Sequence, residues 1–193
     1  GSMSPPRSNV AQSKGVAQRP GAAIDREAVS ALTYVAPGPG ELEGPWTAAD
    51  GATLAIRPIR PEDAPLEAAF VRGLSARSRQ LRFMNALREL TPPQLERFTR
   101  IDPAREVALV ALGHEPGGRE AQVAVARYVV DATGRGCEFA IVVADAWQRR
   151  GLGRHLMQRL IAAARRGGLE TIGGTVLAEN EGMLGLARRL GFS

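Results

Sequence analysis

Residues 137–154 read CEFAIVVADAWQRRGLGR, and the fold turns on what that stretch is. Glu138, Phe139, Ala140, Ile141, Val142 and Val143 form a nearly continuous apolar run ending at Ala144 and Asp145, the pattern of a strand covered on both faces. Beyond Trp147 and Gln148, Leu152, Leu156, Leu160, Ile161 and Ala164 recur at helical spacing. A glycine-bearing loop therefore joins a strand to a helix. The first turn of such a helix has amide hydrogens without partners and a partial positive charge, so the loop can hold an anion. Gly151 and Gly153 let a phosphate approach the backbone, and Arg149, Arg150 and Arg154 add full positive charge. The anion expected there is a phosphate or pyrophosphate.

Two familiar phosphate loops do not fit, because the stretch lacks the Gly-Lys-Ser/Thr of a Walker loop and the three glycines of the dinucleotide fingerprint. What fits is Val143, four residues, Gln148, two residues, Gly151, one residue, Gly153. This spacing resembles the acyl-CoA signature of the GNAT superfamily of N-acetyltransferases, V-x(4)-Q/R-x-x-G-x-G/A, at every defined position. The resemblance implies acetyl-CoA as cosubstrate, with Gln148, Arg149, Arg150, Gly151, Leu152, Gly153 and Arg154 around its pyrophosphate. It also implies that Ile141, Val142 and Val143 pair with pantetheine and offer amides to the acetyl carbonyl. A strand and helix whose glycines serve only a tight turn is the plainer reading of the same residues.

Length and composition bound the rest. A chain of 193 residues with 44% hydrophobic content can bury one ordinary core. Its single cysteine, Cys137, excludes an internal disulfide framework and a cysteine-rich zinc site, and with only His114 and His155 no metal is expected. No apolar run approaches the roughly 18 residues of a membrane span and nothing resembles a signal peptide, so a cytoplasmic protein without a membrane partner is expected. The first fifty residues hold four basic and five acidic groups, leaving +6 of the net +5 charge to the remainder. Nine aromatic residues and the lack of a nucleic-acid motif argue against a nucleic-acid partner; CoA phosphates and an acidic protein partner account for the charge as well.

Along the chain, Gly1, Ser2 and Met3 read as a vector remnant, and residues 4–45, rich in Pro, Gly, Ser and Ala, read as a flexible tail with at most a short element at 28–35. The domain is expected over 46–193. Asp50-Gly51 is a turn before a first strand at 53–57, and Pro61, Glu62 and Asp63 open a helix. A second helix is expected over 75–84 and a third after Thr91, its cap. Residues 107–112 and 122–130 read as antiparallel neighbours, 171–177 as a further strand after Gly167-Gly168, and Asn180 as the start of a last helix. The fold class is thus α/β, a mixed and mostly antiparallel sheet with helices on both faces.

This order resembles GNAT proteins over residues 52–193, and ENEGMLGLARRLGF matches the late motif N-x(6)-Y-x(3)-G-F except that Ala187 stands at the tyrosine. That tyrosine is the usual acid toward the CoA thiolate, so water, another group or no acid must serve here. Asn180 resembles the asparagine that contacts CoA; it also suits a helix cap. The family continues past Phe192-Ser193 into one or two strands, whose absence implies truncation or a sheet edge open to a partner, including a second copy. LSARSRQLRFMNALRELTPPQLERFTRID with REVALVAL is similar to the catalytic domain of bacterial protein lysine acetyltransferases that inactivate acyl-CoA synthetases. That implies direct acetyl transfer to a protein lysine in a ternary complex. A lysine must lose a proton first, and Glu138 is the candidate general base, flanked by Cys137 and Phe139 and so expected to be partly removed from water. Glu106 and Asp145 are weaker candidates. A small amine acceptor and a noncatalytic acyl-CoA module remain open alternatives.

Overall fold

The computed structural model describes residues 8–12, 34–83 and 87–193. Seven strands, β1 (Ser8–Gln12), β2 (Gly44–Thr47), β3 (Thr53–Pro58), β4 (Glu106–His114), β5 (Glu120–Val130), β6 (Gly136–Val143) and β7 (Thr171–Leu177), form one sheet in the order β1-β7-β6-β5-β4-β3-β2. Among the described residues only β6 and β7 pair in parallel. Helices α1 (Pro39–Leu42), α2 (Ala64–Gly73), α3 (Ala76–Phe83), α4 (Pro92–Thr99), α5 (Leu152–Arg166) and α6 (Glu181–Arg189) complete the α/β fold.

Strand alternation divides the core in two. From β6, Cys137, Phe139, Ile141 and Val143 face a layer built on Leu152, Leu156, Met157 and Leu160 of α5 and Ala187 of α6. Val142 faces the other layer, with Phe70 and Val71 of α2. The four α5 residues are all fully buried, and burying each contributes about 1.5–3 kcal/mol, so packing rather than propensity holds this helix against the sheet. Thr91 caps α4 as its sequence predicts, its hydroxyl accepting from the Gln94 amide while the Gln94 side chain accepts from the Thr91 amide at 2.9 Å.

Two expectations change. The tail expected to run through residue 45 is packed structure from Tyr34 onward: the Tyr34 and Tyr128 hydroxyls share a 2.8 Å hydrogen bond, Leu42 is 6% exposed, and β2 pairs with β3. Leu42 was missed because one apolar residue among Pro and Gly makes no period. Of the two readings of the chain's end, truncation or an open sheet edge, the second does not hold at the outer edge of β7, which is occupied by β1, whose five residues pair with 173–177. The element considered at 28–35 falls almost wholly outside the described residues, as does Met84 at the end of the second helix.

Candidate active site

The site begins where β6 and β7 part. They pair at Gly136 with Thr171, Cys137 with Ile172 and Glu138 with Gly173, and no further. Beyond Glu138, the amides and carbonyls of β6 that point toward β7 have no strand partner. Where they part, the Phe139 ring packs edge-on to Phe192 with centroids 5.3 Å apart and lies close over β7, so that a Cβ on Gly174 would be 2.8 Å from it. A cleft of about 130 Å³ opens there between Glu138 and Ile141 of β6, Thr175 of β7, Asn180 and Met183 at α6, and Arg82 of α3.

Glu138 is placed in this cleft but is not removed from water as its neighbours suggested. Successive side chains of a strand point to opposite faces, so Cys137 and Phe139 enter the α5 layer while Glu138 emerges exposed on the other side. Cys137 is buried, and burial followed by the charge of Asp131 pushes its thiol up to about 12, which makes it a packing residue rather than an acyl carrier. Burial raises Asp145, but hydrogen bonds from Ser78 and Ser75 outweigh this and hold its carboxyl below the usual range, so it is a poor base. Glu106 is paired to Arg97 at 2.9 Å.

At the end of β6 the chain makes a 3₁₀ turn at Asp145–Trp147 and enters α5 through two left-handed residues, Arg149 (φ 59°) and Gly151 (φ 88°). Arg149 is the one non-glycine with positive φ among the described residues. Such alternation forms a concave array of amides suited to an anion. Gly151 is the N-cap of α5 and supplies no side-chain oxygen, which leaves the first-turn amides of Leu152, Gly153 and Arg154 for a ligand. The side chain of Leu152 itself is fully buried. Arg149 and Arg154 are exposed, whereas Arg150 pairs with Asp50 and stacks 4.1 Å from the Trp147 ring centroid, so two of the three loop cations are free for phosphate.

Gln148 acts inward. Its side-chain amide donates to the Val143 carbonyl at 3.0 Å and to Ser78 Oγ at 3.3 Å, and Ser78 donates to Asp145 Oδ1 at 2.6 Å. Ser75 Oγ in turn accepts from the Ser78 amide at 3.1 Å. The two serines of the Leu-Ser-x-x-Ser stretch thus tie α3 to the loop. Asn180 both caps α6, accepting from the Met183 amide at 3.1 Å, and lines the cleft. Sequence reading missed Arg82, Thr175 and Met183 in the cleft, because a wall built from three elements leaves no spacing pattern. Among the described residues no group of His, Cys, Asp and Glu is placed to hold a metal, and no helix is long and apolar enough to cross a membrane.

A mostly antiparallel sheet opened at one parallel pair, followed by a glycine-capped helix with free amides, is the architecture of an acyl-CoA-dependent transferase. The chain belongs to the acetyltransferase (GNAT) family, whose model matches residues 79–192. It is 37% identical over 143 residues to the acetyltransferase PA5475 of Pseudomonas aeruginosa, covering 74% of this chain and 76% of that one. Among solved structures it is similar to the GNAT domain of S. lividans PAT, with TM-score 0.72, 29% identity and coverage of 81% of this chain and 91% of that chain. It is also similar to a cAMP-binding acyltransferase from Mycobacterium smegmatis, with TM-score 0.52 and 27% identity, covering 79% of this chain and 44% of that one. This is an acyltransferase of the GNAT type.

Proposed function

We propose that the enzyme transfers the acetyl group of acetyl-CoA directly to a protein lysine in a ternary complex, with Glu138 as general base. The observation that carries this reading is the position of Glu138, an exposed carboxylate at the last paired residue before the strands part, on the wall of the cleft that the parted strands open. The array at 149–154 would hold the pyrophosphate, and the unpaired β6 edge over 139–143 would hold pantetheine and direct a backbone amide at the acetyl oxygen. Glu138 takes a proton from the lysine ammonium, directly or through one water. The neutral amine attacks the thioester carbon, and the tetrahedral adduct releases its remaining ammonium proton to water as it collapses to the amide with loss of the CoA thiolate. Ala187, 2% exposed, offers that sulfur no proton, so water supplies it. The resemblance of the LSARSRQLRFMNALRELTPPQLERFTRID stretch to bacterial protein lysine acetyltransferases supports a protein acceptor.

The test is incubation with labelled acetyl-CoA, lysine peptides and a panel of small amines, reading both free CoA and the labelled product. Label on peptide lysine is the expected result. Label confined to small amines would reassign the acceptor, and CoA binding without turnover would make the chain an acyl-CoA-binding module.

A further inference from the structure

Arg82 stands at the C-terminal end of α3 and lines the same cleft as Glu138. Among the described residues, no ion pair includes it. Its surroundings are aromatic instead: Cζ lies 4.9 Å from the Phe83 ring centroid and 5.9 Å from that of Phe98. Behind it Arg127 of β5, 6% exposed, stacks 4.8 Å from the same Phe98 ring and donates to the Phe98 carbonyl at 3.1 Å. The anion facing both is Glu67 of α2, 3% exposed and already accepting from Gln122.

Glu67 acts on both guanidiniums, Glu106 acts on Arg127 as well, and Glu138 lines the same cleft, yet among the described residues no carboxylate comes within ion-pair distance of Arg82, which leaves its guanidinium available to an incoming anion. Burial raises the Glu67 carboxyl, and the hydrogen bond from Gln122 followed by the charges of Arg127 and Arg82 oppose that rise. Burial, then repulsion by Arg127, lowers Arg82 to about 10, so it remains cationic at neutral pH. A guanidinium in an apolar, aromatic wall is suited to a planar carboxylate. The donor does not supply that anion, because its phosphates belong to the loop at 149–154 and its thioester end is neutral.

We propose that Arg82 anchors a carboxylate carried by the acceptor beside its reacting amine; in a protein, this is an Asp or Glu adjacent to the target lysine. The proposal rests on the acetyl-transfer reading. It is tested with lysine peptides differing only in Glu or Gln beside the lysine, and with free lysine against lysine amide, using wild type, Arg82→Gln and Arg82→Lys. Wild type should favour the Glu peptide by about tenfold in kcat/KM, the worth of one charge-assisted hydrogen bond. Arg82→Gln should erase that preference, bringing the Glu and Gln peptides to equal kcat/KM in the variant with acetyl-CoA affinity unchanged; Arg82→Lys should keep part of it. A preference confined to free lysine over its amide would assign the carboxylate to a small amino acid. Equal losses on both peptides, or no preference in wild type, would overturn the proposal. If no acceptor turns over, the transfer reading fails, and calorimetric titration of the CoA-loaded protein with free glutamate still decides the anion site: binding abolished by Arg82→Gln sustains it, and absence of binding ends it.

Discussion

Glu138 illustrates how one residue's use depends on strand parity. Its neighbours Cys137 and Phe139 are core residues, and the same alternation that buries them delivers Glu138 to the opposite face, at the mouth of the cleft. As a base, a carboxylate at the mouth of the cleft must first lie within reach of the acceptor's proton, and its exposure leaves it open to the incoming amine. Glu138→Gln keeps the shape and removes the proton acceptor. Turnover near neutral pH should fall by roughly 10²- to 10⁴-fold with acetyl-CoA affinity nearly unchanged, and rising pH should partly restore it as more amine arrives already neutral. A pH-rate profile of the variant checks both; full activity at every pH would assign the proton transfer to water or another group. The position of Glu138 was legible from its distance to Gln148, whereas its exposure was not, because a nearly continuous apolar run hides which residues face which layer. Arg82 was equally hidden, since no sequence period marks a cation that stacks on two rings from different segments.

At the scale of elements, β6, the turn and α5 act as a unit, and they were read from sequence with few errors because their apolar period is strong and their glycines mark a required backbone shape. Gly151 sits at φ 88° with only the Trp46 ring near its missing Cβ, at 3.9 Å. Gly151→Glu should therefore weaken CoA binding through left-handed strain and like charge in the phosphate cradle, and calorimetry with CoA reads it; unchanged affinity in a folded variant would remove the loop from the pyrophosphate site. Gly174 tests the packing where the strands part. A methyl there meets the Phe139 ring at 2.8 Å, so Gly174→Ala should destabilise by about 1–3 kcal/mol, measured by chemical denaturation. A third element junction joins β3 to α2, where Asp63, 3% exposed, accepts two hydrogen bonds from Arg57 at 2.7 Å and one from the Arg60 amide at 2.8 Å. Burial raises its carboxyl, but these bonds outweigh it and the net shift is downward. Since the folded value lies below the unfolded one of about 3.9, the stabilisation is present above that pH and is lost as pH falls through the folded value. Asp63→Asn should lower the melting temperature near neutrality and flatten its decline below about pH 4.

For the whole molecule, the domain is larger at its N-terminal side than its composition implied. Order was expected from Trp46 because a Pro- and Gly-rich segment without period cannot offset its own ordering entropy by internal contacts. Residues 34–45 escape that argument by using contacts supplied by the domain. Tyr34 pairs with the fully buried Tyr128, Leu42 enters the α5 layer, and the Leu42 carbonyl accepts from Arg159 at 2.9 Å. Such contacts are long-range, and a single sequence carries no local sign of them. Their loss can be ranked: exposing Leu42 costs about 1.5–3 kcal/mol, and leaving the buried Tyr128 hydroxyl unpaired costs about 1–3 kcal/mol more. Deleting residues 1–45 should therefore lower the melting temperature by on the order of 10 °C relative to deleting residues 1–33, given about 2–4 °C per kcal/mol for a domain of this size. Both truncations lack β1, so the comparison isolates the packed segment from the strand on the edge of β7. Thermal melting of the two proteins decides it, with acetyl-CoA affinity as the control for the cleft, which the segment at 34–45 does not line. Equal melting temperatures would return the boundary to residue 46 and make the Tyr34 and Leu42 contacts energetically idle.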